Sequence, residues 1–139
     1  TMSEYTVLAE ISCAKIHKDI ALEKACLFGC GVSTGLGAVW NTCNVQRGSS
    51  VAVFGLGAVG LAVIQGAKMV GAGQIIAVDV NPSKFGIAEQ LGATHFVNPL
   101  EFAPEVSTAK TVQQHIAGEL TEWGCDYTFD CTGNTEVMR

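Results

Sequence analysis

The chain of 139 residues is 48% hydrophobic and 15% charged, with a formal net charge of −5. This length suits one domain that buries about two-thirds of its unfolded surface, and the composition is that of a core-rich globular chain, which excludes disorder. The negative balance and the lack of any Lys/Arg cluster exclude a nucleic-acid track, which needs cations to neutralise phosphates.

In chain order, Glu4–Ala9 reads as a strand and Ala14–Ile16 as a short second one. Asp19 is a candidate cap for a short helix to about Ala25, which the stretch Gly29-Cys30-Gly31 breaks. Ser33-Thr34 predicts an N-cap for a helix from about Gly35 to Asn44. Gly35 and Gly37 each weaken such a helix by roughly 1 kcal/mol relative to Ala, so they point to close approach by backbone or ligand. From Ser50 onward strands and helices alternate. The expected strands are Val51–Phe54, Ile75–Asp79, His95–Val97 and Asp126–Cys131. The expected helices are Ala58–Val70, Ser83–Leu91 and about Thr108–Thr121. Asn81-Pro82 supplies a cap followed by proline in the first turn, and Gly71-Ala72-Gly73 and Gly92 stop two of the helices. Glu101–Lys110 reads as a surface loop. Such alternation predicts the α/β class, a Rossmann-like doubly wound parallel sheet with right-handed crossovers and helices on both faces. Four strands are present where a complete dinucleotide fold has six.

Thr1–Glu10 lacks the basic region and apolar core of a signal peptide, and both chain ends read as cut. Of the six cysteines (13, 26, 30, 43, 125 and 131), no two form a Cys-x-x-Cys. They read as reduced thiols of a cytoplasmic protein, mostly small buried hydrophobes.

The most informative run is Val51-Ala52-Val53-Phe54-Gly55-Leu56-Gly57-Ala58-Val59-Gly60. It is a buried strand, a Gly-x-Gly-x-x-Gly turn and a helix start. Gly55 permits the tight turn, Gly57 lets a pyrophosphate approach the backbone, and Gly60 lets the helix pack closely on the strand. The helix opening at Ala58 presents unpaired N–H groups and a positive dipole end, which favour an anion. Asp79 follows Gly60 at about the 20-residue spacing of an acid that bonds a ribose hydroxyl. The uncharged run Ser49–Ala67 contains four glycines, two serines and a glutamine. A membrane span needs roughly 20 predominantly apolar residues, so no membrane partner is expected. A Rossmann-like unit without a nucleotide remains open, because a fold does not guarantee its site.

The chain resembles the zinc-dependent medium-chain alcohol dehydrogenases, most of all class III, the glutathione-dependent formaldehyde dehydrogenases. The resemblance rests on Ser3-Glu4-Tyr5-Thr6-Val7, Leu27-Phe28-Gly29-Cys30-Gly31-Val32-Ser33-Thr34-Gly35, the Gly55–Gly60 fingerprint, Asp79-Val80-Asn81 and Phe129-Asp130-Cys131-Thr132-Gly133-Asn134. It implies that residues 1–31 end a β-rich, GroES-like catalytic domain and that residues 32–139 form a partial NAD-binding domain. It implies zinc and NAD as cofactors, with Cys30 as one of three protein ligands to the metal. The other two ligands would come from an earlier part of the chain. It further implies that Thr34 packs beside the nicotinamide ring with Val59 opposite. Gly55, Leu56, Gly57, Ala58, Val59 and Gly60 would line the pyrophosphate. Asp79 and Lys84 would meet the adenosine ribose, with Val80, Cys131 and Thr132 nearby. Cys26 has no role in the family pattern. The Asp79 carboxylate would repel a 2′-phosphate, which favours NAD over NADP.

The implied reaction is hydride transfer between a primary alcohol, S-(hydroxymethyl)glutathione foremost, and NAD, with a homodimer for the longer parent. A general primary-alcohol dehydrogenase and a non-catalytic nucleotide-binding module are the alternatives. None of His17, His95 and His115 sits in a setting that matches the family's zinc histidine.

Overall fold

The computed structural model describes residues 3–102 and 111–137. Its centre is a four-stranded, wholly parallel sheet. Strand β1 is Ser50–Phe54, β2 is Gln74–Val78, β3 is His95–Val97 and β4 is Tyr127–Asp130. Their order in the sheet is β3-β2-β1-β4. Val53 faces Ala77 on one side and Phe129 on the other, so β1 is hydrogen-bonded along both edges. Val51, Ala52 and Val53 are buried without alternation, as expected for a parallel strand covered on both faces.

The two faces carry separate cores. On one, Val51, Val53, Ile75, Ala77 and Phe129 pack against Val63, Ile64 and Ala67 of helix α3 (Ala58–Val70) and Ala88 of α4 (Phe85–Leu91). On the other, Ala52, Ile76 and Val78 pack with Ile116 and Val112. Val112 opens α5 (Val112–His115), which runs on as a wider turn over Ile116–Leu120. The chain thus winds outward from β1 through α3, β2, α4 and β3 on one face. It then crosses back over the other face to lay β4 on the free side of β1. This is the doubly wound arrangement predicted from the alternating pattern, and it places a topological switch point between β1 and β4.

Helix α3 has the predicted bounds, ending at Gly71 in the left-handed conformation (φ 83°). The segment read as one helix over Ser83–Leu91 is a tight 3-10 turn, Pro82–Lys84, followed by α4. The last helix starts at a capping box between Thr111 and Gln114. Its expected start at Thr108 and most of the expected loop 101–110 lie outside the described residues.

Before β1 the expectations fare worse. Neither Glu4–Ala9 nor Ala14–Ile16 is a strand. Val7 is 99% exposed and Ile11 96%, and a β-prone segment with no neighbour to pair or pack against gains nothing from its propensity. Asp19 caps nothing: helix α1 (Leu22–Ala25) begins after Ala21, without a side-chain cap. Ser33 and Thr34 lie inside helix α2 (Gly31–Gly37), which starts four residues earlier than expected. The Ser33 hydroxyl donates back to the carbonyls of Phe28 (2.9 Å) and Cys30 (3.0 Å). Packing sets this start, because Gly31 lies against Ala58 of α3, where an added Cβ would come within 3.1 Å. The cysteines also depart from the expectation of burial. Cys13, Cys26 and Cys30 are exposed, Cys43, Cys125 and Cys131 are half-buried, and all six are free thiols.

Candidate nucleotide-binding cleft

A cleft of about 580 Å³ opens at the carboxyl ends of β1, β2 and β4, at the switch point. The glycine turn forms its floor. Gly55 has φ +91°, and a Cβ there would press on the Cys131 carbonyl group and the Thr132 methyl at 3.0 Å. The turn therefore runs flush against the segment that leaves β4. At Gly57 a Cβ would meet nothing within 4 Å, so the backbone there faces open space. The third glycine is the opposite case: a Cβ at Gly60 would collide with the Gly55 carbonyl oxygen. Gly60 lets α3 begin close against its own turn.

Asp79 forms one wall. Although charged, it is only 7% exposed, and its carboxylate accepts from three donors, with acceptor capacity to spare. Oδ2 accepts from the buried Leu56 N–H (2.8 Å) and the Lys84 ammonium (2.9 Å), and Oδ1 accepts from the Asn81 N–H (2.8 Å). Burial works to raise the pKa of this group. The N–H groups of Leu56 and Asn81 and the Lys84 cation outweigh it and hold the carboxyl below the ordinary carboxylate range. Val80 and Lys84 line the same wall. The facing wall comes from the residues after β4, where Cys131, Thr132 and Asn134 line the cleft. Asp130 Oδ1 accepts from the Thr132 N–H (2.9 Å) and hydroxyl (2.6 Å), and the Thr132 hydroxyl oxygen accepts from the Asn134 N–H (3.0 Å). These bonds hold the Asp130 carboxyl below its usual pKa. Burial, with the Asp130 charge beside it, pushes the Cys131 thiol up.

The structure thus brings Gly55, Leu56, Gly57, Asp79, Val80, Lys84, Cys131 and Thr132 to one cleft. Ala58, Val59 and Gly60, the first turn of α3, are not among its lining residues, and neither are Cys30 and Thr34. Cys30 is the N-cap of α2 and Thr34 lies within that helix, which is joined to α3 more tightly than its short length suggests. A Cβ on Gly35 would stand 2.5 Å from both the Ala62 Cβ and the Val59 carbonyl oxygen. Gly35 is therefore the close approach that the glycine-weakened helix suggested, whereas Gly37 meets only Asn41, at 3.9 Å. Pro99, Asn134 and Val137 also line the cleft and were not singled out from the sequence. Pro99 and Val137 lie in turns that no motif marks. Asn134 ends the stretch that carried the resemblance, and the Asx and Thr turns after β4 are a local signal for it.

The cleft fits a dinucleotide. It offers open backbone at Gly57, a helix start beside it and a held carboxylate at ribose distance in the chain. For a catalytic metal, Cys30 is one exposed thiol whose carbonyl accepts the Thr34 N–H at 2.8 Å. A catalytic zinc takes three protein ligands and an open position. Among the described residues no three His, Cys, Asp or Glu side chains are grouped to hold a metal, so these residues alone do not make a zinc centre. Among the described residues no helix is long and apolar enough to cross a membrane.

The family profile described as zinc-binding dehydrogenase matches residues 58–139. The S-(hydroxymethyl)glutathione dehydrogenase of Photobacterium damsela subsp. piscicida is 56% identical over all 139 residues, and that of Synechocystis sp. is 54% identical. Each match covers the whole of this chain and 36% of the relative, so the chain spans about a third of their length. Among solved structures, an alcohol dehydrogenase zinc-binding domain protein from Burkholderia ambifaria superposes with a TM-score of 0.76 at 41% identity, covering 88% of this chain and 31% of that one. Benzyl alcohol dehydrogenase from Acinetobacter calcoaceticus gives 0.75 at 38% identity, covering 89% and 32%. By the match of its Rossmann-like half and the identity along its full length, the chain belongs to the zinc-binding dehydrogenase family.

Proposed function

We propose that this chain carries the NAD-binding part of a zinc-dependent alcohol dehydrogenase that oxidises S-(hydroxymethyl)glutathione. The observation that carries the reading is the Asp79 carboxylate, buried at the rim of the glycine turn, ionised and aligned by three donors. A carboxylate so held accepts ribose hydroxyls and repels a 2′-phosphate, which favours NAD over NADP.

When bound, NAD supplies the ring that accepts hydride. The chain's own residues hold and orient it. Gly57 admits the pyrophosphate to the start of α3, whose dipole favours its charge, and Asp79 and Lys84 take the adenosine ribose. Val80, Cys131 and Thr132 form the walls around it. Thr34 and Val59 flank the nicotinamide, and the α2–α3 joint at Gly35 supports that placement. Cys30 supplies one thiolate to the zinc, with the remaining ligands from outside the described residues. Residues 1–31 end the catalytic domain and 32–139 belong to the coenzyme domain. The exposed, strandless stretch before α2 supports that division. The parent is read as a cytoplasmic homodimer acting on a small alcohol or aldehyde, with neither nucleic acid nor membrane as partner.

The substrate reading rests on the names of the 54–56% identical relatives. The likeness to a benzyl alcohol dehydrogenase favours a general primary-alcohol dehydrogenase as the second reading. The lone Cys30 thiol, with no grouped metal ligands among the described residues, favours a non-catalytic nucleotide-binding module for these 139 residues in isolation. Calorimetric titration with NAD and NADP tests the first step, with NAD expected to bind at least tenfold more tightly, about 1.4 kcal/mol. Turnover with S-(hydroxymethyl)glutathione and NAD exceeding that with benzyl alcohol supports the first reading. The reverse order in the longer parent supports the second, and NAD binding without turnover by these 139 residues alone supports the third.

A further inference from the structure

The ion pair between Lys84 and Asp79 does not stand by itself. It is the last link of a ring of hydrogen bonds closed within six residues. The Asn81 N–H donates to Asp79 Oδ1 (2.8 Å). The Asn81 side-chain Oδ1 accepts both the Ser83 N–H (3.1 Å) and the Ser83 hydroxyl (2.8 Å). The Asn81 carbonyl accepts the Lys84 N–H (3.2 Å), and the Lys84 ammonium returns to Asp79 Oδ2 (2.9 Å). Pro82 holds the first position of the turn, where its fixed φ suits the geometry and its missing N–H costs nothing. Asn81 is itself exposed and is not among the residues lining the cleft, and its side-chain oxygen is taken up by Ser83.

We propose that Asn81 is a positioning residue for nucleotide binding, acting through Lys84. A lysine carries four flexible bonds, and an exposed ion pair is weak because holding the side chain costs entropy. Lys84 is 39% exposed at its side chain, so its hold on Asp79 depends on where the backbone launches it. The Asn81 cap sets that launch point by fixing the turn Pro82–Lys84. With the cap in place, Lys84 and the Asn81 N–H grip the two carboxylate oxygens from one short loop, and the acid meets the ribose already oriented. Without it the turn frays, and Lys84 samples positions in which it neither holds Asp79 nor reaches a ligand. The inference rests on the nucleotide reading of the cleft.

The test is NAD titration of the full chain in four forms: unaltered, Asn81→Ala, Asn81→Ser and Lys84→Met, together with the double variant and a thermal melt of each. Asn81→Ala should weaken NAD about fivefold, the factor equivalent to the roughly 1 kcal/mol of a lost cap. Asn81→Ser, which retains a capping oxygen, should restore affinity to within about twofold. In the Lys84→Met background, Asn81→Ala should add less than twofold, because the side chain through which it acts is gone. A full fivefold loss on top of Lys84→Met overturns the proposal. So does a lowered melting temperature with unchanged NAD affinity, which marks Asn81 as structural only. If the unaltered chain binds no NAD, the nucleotide reading itself fails and this proposal falls with it.

Discussion

The Asp79 carboxylate and the backbone N–H of Leu56 lie 2.8 Å apart, tying the end of β2 to the middle of the glycine turn after β1. The two residues belong to different signals in the sequence, a fingerprint and an acid, yet in the fold each completes the other. The turn gives the carboxylate a donor, and the carboxylate satisfies a buried N–H that would otherwise cost about 1–3 kcal/mol. Asp79→Ala should therefore act twice. It should destabilise the protein by about 1–3 kcal/mol by orphaning the Leu56 N–H, read as a lower urea midpoint. It should also weaken NAD while leaving NADP unchanged or tighter. An unchanged ratio of NAD to NADP affinity removes Asp79 from coenzyme choice.

The depressed pKa of Asp79 carries a pH signature. Its folded value lies below the unfolded one. Its contribution to stability is therefore present above the unfolded carboxylate range, near 3.9, and is lost as pH falls through the folded pKa. Asp126, held by the Ser50 N–H and hydroxyl, and Asp130, held by Thr132, have the same sign. The urea midpoint should fall as pH is lowered from about 5 to 3, and Asp79→Asn should flatten that slope. Equal slopes in the two proteins would place the acid sensitivity elsewhere.

Gly57 and Gly60 stand three residues apart in one motif and should respond in opposite ways. Gly57→Ala adds a Cβ into open space at φ −85°, so stability should stay within about 0.5 kcal/mol. NAD affinity should nevertheless fall about tenfold or more, because the methyl group stands where the pyrophosphate must come. Gly60→Ala drives a Cβ into the Gly55 carbonyl oxygen and should cost about 2–3 kcal/mol, the upper part of the overpacking range. Thermal melts and NAD titration of both variants separate the two roles.

Gly35→Ala tests the joint between the helix that carries Thr34 and the helix that opens at the glycine turn. Its Cβ would meet the Ala62 Cβ and the Val59 carbonyl oxygen at 2.5 Å, and backbone cannot swing aside as a side-chain tip can. A loss of about 1–3 kcal/mol is expected, whereas Gly37→Ala, with only Asn41 at 3.9 Å, should stabilise by up to about 1 kcal/mol through helix propensity. Chemical denaturation of the pair checks the contrast.

Cys30→Ser should leave stability within about 0.5 kcal/mol, since the thiol is exposed. In the longer parent protein it should lower both zinc content, read by elemental analysis, and turnover. Full zinc occupancy in the variant would assign the metal to other ligands.

Much of the second half of the chain was legible in its residues. An uninterrupted apolar run closed by a glycine turn, as at Val51–Phe54 between Ser50 and Gly55, suits the centre of a parallel sheet in a small α/β domain. Helix α3 was readable to its ends because the glycine fingerprint marks its start and Gly71, in the left-handed conformation, marks its stop. The segment before α2 was misread for the complementary reason. The apparent strands at Glu4–Ala9 and Ala14–Ile16 have the propensity but no neighbour, and strand pairing is not local. Ser33 has the chemistry of a cap, but the start of α2 was decided by the fit of Gly31 against Ala58.

By itself the sequence determined the alternation of elements, the glycine turn and the residue types at the cleft, because these depend on periodicity and local backbone chemistry. Only the tertiary structure decided that the Leu56 N–H meets Asp79, and that Thr132, leaving the neighbouring strand β4, closes against Gly55. Those relations depend on the order β3-β2-β1-β4, which sets distant segments side by side. Hydrogen bonds and packing across such a sheet follow distance in space, not position along the chain.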